Sequence, residues 1–114
     1  MQAGNIDGVL TRLHPEVVVH EAESLPYGGD WLGLDGFARL LTVLTNRADL
    51  DIREYTTYPT VDGVIIAMGV RMTSRTSAQT LDTSLVEIYR VVDGLIREID
   101  VYYKDVKALV DFLA

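Results

Sequence analysis

Ionisable side chains follow directly after an apolar run near the start of the chain. His20, Glu21 and Glu23 come immediately after the run from Val17 to Val19. Alternation along a strand places Glu21 on the same face as Val17 and Val19, and His20 on the other face. A glutamate at the edge of an apolar wall can exchange a proton with a bound molecule as a general acid or base. The alternative is that the strand leaves the core at His20, so that all three groups are solvated.

A second carboxyl group interrupts an otherwise largely apolar strand face. In the run from 81 to 91, Glu87 shares its face with Leu85 and Tyr89, among other residues. A buried carboxylate without a partner costs several kcal/mol, so Glu87 on a buried face must be paired, hydrogen-bonded or protonated. If the opposite face is the buried one, Glu87 is an ordinary surface charge. Two carboxyl groups in unlike surroundings can divide acid and base roles, because burial raises the pKa of the drier group.

Helices are predicted before and after the strand that carries Glu21. Apolar residues at helical spacing between Gly4 and His14 predict a short N-terminal helix that Pro15 stops. A strand follows from 16 to about 23, and then the segment PYGG supplies a turn. Asp35 is a plausible N-cap of a second helix, which ends near Asn46.

The second half of the chain changes to a period of two in four runs, 50–59, 63–75, 80–92 and 95–103. The turn segment VDG occurs at 61–63 and again at 92–94, which indicates a meander of long antiparallel strands. On the run from 63, the face with Met68 and Val70 is predicted to be buried. The segment KDVKALVDFLA predicts a closing helix. Helices followed by a meander predict a single α+β domain whose curved sheet wraps around the helices and offers a concave face to a ligand.

Composition excludes several classes of function. The chain of 114 residues has no cysteine and two histidines, which excludes disulfides and gives no support for a metal or a cofactor. A net charge of −7 with scattered basic residues argues against nucleic acid as a partner. No apolar stretch is long enough for a membrane span, and no signal peptide is visible, so we expect a cytoplasmic protein.

Three segments together resemble the SnoaL-like branch of the nuclear transport factor 2-like superfamily. They read AGNIDGVLTRLHPEVVVHEA, PYGGDWLGLDGFARLL and SLVEIYRVVDGLIREIDVYY, and they span nearly the whole chain. The resemblance implies a cone-shaped curved antiparallel sheet around N-terminal helices. The superfamily includes steroid isomerases, polyketide cyclases, epoxide hydrolases, dehydratases and non-catalytic binding modules, so the residues must decide the function.

The resemblance also implies roles for three acidic residues. Glu21 matches the general-base aspartate of the ketosteroid isomerases, and Glu87 matches their second carboxylic acid, which donates a hydrogen bond to the oxyanion. Many relatives carry an aspartate on the last strand where this chain has Val101. Asp100 lies one residue earlier and is a catalytic candidate if a bulge turns it into the cavity.

The chain departs from two enzyme classes of the superfamily. The helix that carries the isomerases' oxyanion tyrosine is mostly absent, which makes a strict steroid isomerase doubtful. The Arg-x-Asp pair of the epoxide hydrolases is also missing, because Met68 and Val70 stand near those places.

Six further residues are candidates for ligand binding. Tyr27 and Trp31 flank the Gly28–Gly29 turn and could roof the cavity, although Trp31 could instead anchor the turn on the core. The remaining candidates are His20, through a bulge or an interface, and the inner-face residues Met68, Tyr89 and Tyr103, which could equally be plain core.

These observations lead to two hypotheses. The first is a cofactor-independent acid/base enzyme that acts on a small apolar carbonyl compound as an isomerase, cyclase or dehydratase. The second is a non-catalytic small-molecule-binding or dimerisation module of the same fold. In either case we expect a homodimer through the outer sheet face, where Val86, Ile88 and Val92 lie.

Overall fold

Six strands and two helices form between residues 11 and 114, which are the residues that the computed structural model describes. In chain order these elements are β1 (Leu13–Glu21), β2 (Gly29–Leu32), α1 (Gly33–Arg47), β3 (Ala48–Thr60), β4 (Gly63–Ser74), β5 (Thr80–Val92), β6 (Leu95–Tyr103) and α2 (Val106–Leu113). The predicted α+β class is confirmed, and the four predicted runs of the meander correspond to β3, β4, β5 and β6.

The strands form one sheet in the order β2-β1-β6-β5-β4-β3. Neighbours are antiparallel except β1 and β6, which run parallel. The turn between β5 and β6 consists of Asp93 and Gly94, both with positive φ, which is the geometry that joins two twisted strands most directly. The meander is therefore local along the chain, and β1 joins it from a distant part of the sequence.

The core lies between the concave sheet face and the two helices. On β4, Met68, Val70 and Met72 are buried, as the alternation predicted. Phe37 and Leu40, three residues apart on α1, are buried because they share one helix face, and Leu109 of α2 is fully buried. Both helices therefore cover the inner face of the sheet.

The structure corrects the boundaries of three predicted elements. β1 begins at Leu13 and not at 16, because Pro15 falls in an irregular stretch of the β1–β6 pairing, where its missing N–H is tolerated. The predicted N-terminal helix lies largely outside the described residues, although His14, its proposed last residue, is part of β1. Helix α1 begins at Gly33, two residues before the predicted cap Asp35, and no side chain caps it.

A short strand, β2, and a capped C-terminal helix complete the fold. The residues around Trp31 form β2 against β1, which the turn-rich sequence did not predict. Asp105 caps α2 by accepting a hydrogen bond from the backbone of Ala108 at 3.0 Å. Among residues 11–114, no helix is both long and apolar enough to span a membrane.

Candidate functional site

Two glutamates face the same cavity from strands that are not neighbours. Glu87 of β5 pairs with Val101 of the central strand β6. On the opposite edge of β6, His20 of β1 pairs with Asp100, which places the next residue, Glu21, beside the same Val101. The alternation of β1 and β5 turns both glutamates to the concave face. Their backbones are two strand spacings apart, roughly 10 Å, which two glutamate side chains can partly bridge.

Glu21 is the more buried of the two carboxyl groups. Its side chain belongs to a residue that is only 7% exposed, and burial, reinforced by the nearby charge of Glu87, raises the pKa of Glu21 to about 8. A hydrogen bond from Tyr103 opposes that increase. Glu21 therefore carries a proton at neutral pH and can donate a hydrogen bond.

Tyrosine hydroxyls contact both carboxyl groups. Tyr103 donates a hydrogen bond of 3.3 Å to Glu21, and its hydroxyl lies 3.2 Å from that of Tyr27. Tyr89 donates a hydrogen bond of 2.7 Å to Glu87. Burial raises the pKa of Tyr27 to about 12 and places the pKa of Tyr89 and that of Tyr103 higher still. All three hydroxyl groups therefore remain protonated donors at neutral pH.

The cavity beside these groups has a volume of about 420 Å³, which is within the range of small-molecule sites. Polar groups stand at one end, where Glu21, Glu87, Tyr27 and Tyr103 line it. Apolar side chains from the sheet and both helices form most of the remaining wall, namely Leu41, Leu44, Ile52, Met68, Met72, Leu85 and Leu113. A mostly apolar ligand with one polar group matches this lining.

Five of the predicted site residues come together here, and a sixth supports them. Glu21, Glu87, Tyr27, Met68 and Tyr103 line the cavity. Tyr89 contributes its hydrogen bond to Glu87 without being part of the cavity wall.

Asp100, His20 and Trp31 do not reach the cavity. The β5–β6 register is regular from Glu98 to Tyr103, so no bulge turns Asp100 inward, and its side chain lies on the outer face. His20 pairs with Asp100 in the β1–β6 register and is on the same outer face. The indole of Trp31 donates a hydrogen bond of 3.0 Å to the carbonyl of Tyr27, so it anchors the turn, which was the alternative reading of that residue.

The outer-face residues form a polar cluster of their own. His20 contacts Asp30 at 2.7 Å and Glu98 at 3.1 Å, and Arg90 pairs with the same Glu98. Burial lowers the pKa of His20, but its bonds to Asp30 and Glu98 outweigh burial, and the net shift is upward. Ligand atoms of His20, Glu98 and Asp100 lie within 4.8 Å of one another, so these three could hold a metal. His20 and Glu98 already contact each other, and Asp30 and Arg90 are their further partners.

Sequence reasoning missed the charged rim of the cavity. Arg47, Asp49, Asp51 and Arg75 line its mouth, where α1 passes into β3 and where β4 ends. These residues lie at element ends, where neither helical nor strand periodicity defines a face. In the sequence, these four residues were marked only by lying next to the predicted ends of a helix and two strands.

Comparison with known proteins bears on the family and on the fold. A family model described as a SnoaL-like domain matches residues 1–99. No curated protein matches the chain. An NTF2-like protein from Burkholderia xenovorans is similar in structure with a TM-score of 0.87 and 17% identity, covering 97% of this chain and 85% of the other. A protein from Xanthomonas campestris, provisionally described as a polyketide cyclase, gives a TM-score of 0.83 at 19% identity, with 97% and 86% covered.

A third solved structure contains a ligand. It is TerC co-crystallised with polyporic acid, and it gives a TM-score of 0.78 at 24% identity, covering 95% of this chain and 85% of that one. At these identities the structural neighbours establish the fold, and the cone predicted from the sequence is confirmed.

Proposed function

Because the chain belongs to the SnoaL-like domain family, we propose that it is a cofactor-independent acid/base enzyme that acts on a small apolar carbonyl compound. The observation that carries this proposal is the pair of carboxyl groups of unlike burial at the polar end of one apolar cavity. The proposal covers isomerisation, aldol-type cyclisation and dehydration, because all three begin with proton removal next to a carbonyl. The provisional description of the Xanthomonas campestris neighbour as a polyketide cyclase favours cyclisation.

Burial favours a division of roles that is the reverse of the one implied by the resemblance. Glu21 is the drier group and holds its proton, whereas Glu87 receives a hydrogen bond from Tyr89 that stabilises a carboxylate. In our proposal Glu87 is the base and Glu21 is the hydrogen-bond donor. The sequence comparison gave positions in the fold but no information on which position is drier.

The proposed reaction begins when Glu87 removes a proton from the carbon next to the substrate carbonyl. The C–H electron pair forms the enolate carbon–carbon double bond, and the carbonyl electrons move to oxygen. Protonated Glu21 is the donor available to that oxygen, and the hydroxyls of Tyr27 and Tyr103 form a hydrogen-bonded chain that ends on Glu21 and holds it in place. Return of the proton from Glu87 to another carbon gives an isomer. Attack of the enolate carbon on a second carbonyl of the same molecule gives a ring, and the alkoxide formed there takes the proton from Glu87.

Hydrogen–deuterium exchange at the carbon next to the carbonyl of 2-acetylnaphthalene in D₂O tests proton removal without knowledge of the natural substrate. We expect catalysed exchange by the unaltered protein and a loss of at least roughly 100-fold in Glu87→Gln. Glu23→Gln is the matched control, because Glu23 is exposed and outside the cavity. Binding of the ketone without catalysed exchange would refute the enzyme proposal and favour the passive binding module.

The homodimer expected from the sequence is a second part of the proposal. Ile88 and Val92 are each 36% exposed on the outer face, and the neighbouring Tyr102 is 59% exposed. A partner sheet would remove this apolar surface from water. We expect Ile88→Lys to convert a dimer to a monomer in light scattering, whereas Val61→Lys, in the β3–β4 turn, should not. A monomeric unaltered protein would contradict this part of the proposal.

The cytoplasmic location also stays a prediction.

A further inference from the structure

The charges at the cavity mouth are paired with one exception. Asp49 receives two hydrogen bonds from Arg75, at 2.6 and 3.0 Å, and Asp51 pairs with Arg53 at 3.0 Å. Arg47 also lines the mouth, and within residues 11–114 its guanidinium has no hydrogen bond or ion pair. The rim therefore presents one cation whose charge no described side chain neutralises.

Arg47 lies close enough to the polar end of the cavity for its charge to influence Tyr27. It is the last residue of α1, and its positive charge lowers the pKa of Tyr27, against the larger effect of burial. Tyr27 in turn contacts Tyr103, which donates to Glu21. Since Glu21 is protonated at neutral pH, its carboxyl group does not repel an anion, and among the four residues of the polar end only the proposed base Glu87 does. An anionic group near Arg47 and a carbonyl near Tyr103 can therefore belong to one small molecule.

We propose that Arg47 binds the carboxylate of the substrate, so that the natural ligand is an apolar carbonyl compound that also carries a carboxylate. This inference rests on the proposed function for the identity of the site, and it adds the chemical class of the substrate. A guanidinium can bind both oxygens of a carboxylate at once, which fixes orientation as well as position. The protein as a whole has a net charge of −7, so attraction for an anion must come from a local cation such as this one.

A purely structural explanation exists and makes a different prediction. A cation in the last turn of a helix interacts favourably with the helix dipole, which would explain an arginine at this position without any ligand. In that case its removal would change stability and leave the relative affinity for charged and neutral ligands unchanged. The ratio of two affinities therefore separates the explanations.

The test compares 2-naphthoate with 2-acetylnaphthalene, which share a ring system and differ in the charged group. Dissociation constants are measured by titration calorimetry at pH 7 for the unaltered protein, Arg47→Gln, Arg47→Lys and Arg39→Gln. Arg39 is a matched control because it is exposed on the same helix and lies outside the cavity lining. We expect the unaltered protein to prefer the carboxylate and Arg47→Gln to lose roughly tenfold in affinity for it, with little change for the ketone. Arg47→Lys should keep part of the preference, because the charge remains but the two-point contact does not.

Two outcomes overturn the inference while leaving the proposed function intact. One is binding of the ketone with no preference for the carboxylate, and the other is a preference that Arg47→Gln leaves unchanged. If neither compound binds, the proposed function fails and the inference fails with it. A preference that disappears in Arg47→Gln, survives in Arg39→Gln and weakens at high salt supports a carboxylate site at Arg47.

Discussion

The buried proton of Glu21 makes the stability of the protein depend on pH in a defined direction. In the unfolded chain the carboxyl group has its ordinary pKa of 4.5, and in the folded protein the pKa is about 8. Between these values the folded protein holds one proton more than the unfolded chain. The stability that Glu21 contributes is therefore fully present below pH 4.5 and is lost as the pH rises toward 8.

The magnitude follows from the size of the shift. Each pH unit inside this window costs about 1.4 kcal/mol of unfolding free energy for one group. The interval from pH 5 to pH 8 therefore costs the unaltered protein roughly 4 kcal/mol through Glu21 alone. Glutamine at this position has a similar size and cannot ionise, so the Glu21→Gln variant does not lose this unfolding free energy as the pH rises.

Urea unfolding at pH 5, 6, 7 and 8, followed by the fluorescence of Trp31, measures the difference directly. We expect the free energy of unfolding of Glu21→Gln, relative to the unaltered protein, to increase steadily over this series. Titrating groups far from Glu21 contribute equally to both proteins and cancel in the difference. Glu23→Gln, which replaces an exposed glutamate two residues away, should show no such trend.

A constant difference between the two proteins from pH 5 to pH 8 would refute the reasoning. It would mean that Glu21 titrates alike in the folded and unfolded states, and hence that the carboxyl group is hydrated. The division of roles between Glu21 and Glu87 would then lose its physical basis.

Three further predictions concern the site and the core. In Glu87→Gln, the pKa of Glu21 measured by carbon-13 NMR should fall yet stay above 4.5, because the like charge is removed while burial remains; an unchanged value would contradict this. In Tyr103→Phe the same pKa should rise, since a hydrogen bond that favours the carboxylate is lost, whereas Tyr102→Phe on the outer face should leave it unchanged. Leu109→Ala should lower the free energy of unfolding by about 3 kcal/mol in urea titrations, and a loss under about 1 kcal/mol would show that α2 packs loosely.

Alternation along the strands predicted most of the sheet, because a residue in a regular strand can face only one of two sides. Met68 and Val70 were placed correctly by this rule. The same rule grouped Glu87 with Leu85 and Tyr89 but left open which face of that strand is buried, and in the structure Glu87 lines the cavity. The position of Asp100 depended on whether a bulge preceded it. A bulge is a property of the strand pairing, and one sequence alone does not reveal it.

The chemistry of the site was less predictable than its location. The sequence indicated candidates at Glu21 and Glu87, but it did not show which of the two is more buried. That depends on how α1, α2 and the strands β3, β4 and β6 pack around both side chains. Arg47 was missed because a residue at the junction of a helix and a strand belongs to neither periodicity. Tertiary packing determines which residues line the mouth of a cavity, and local sequence patterns do not reveal that packing.

The parallel pairing of β1 with β6 has a consequence for the order in which the protein folds. Strands β3 to β6 follow one another through short turns, so their contacts close small loops, whereas Glu21 and Tyr103 are separated by 82 positions. Closing so long a loop is entropically slower, and we expect the meander to form before β1 docks on it. Glu21 on β1 and Glu87 on β5, the proposed acid and base, would then come together only when β1 docks, in the last step of folding. A ligand that needs both halves would bind the native state alone and stabilise the whole domain.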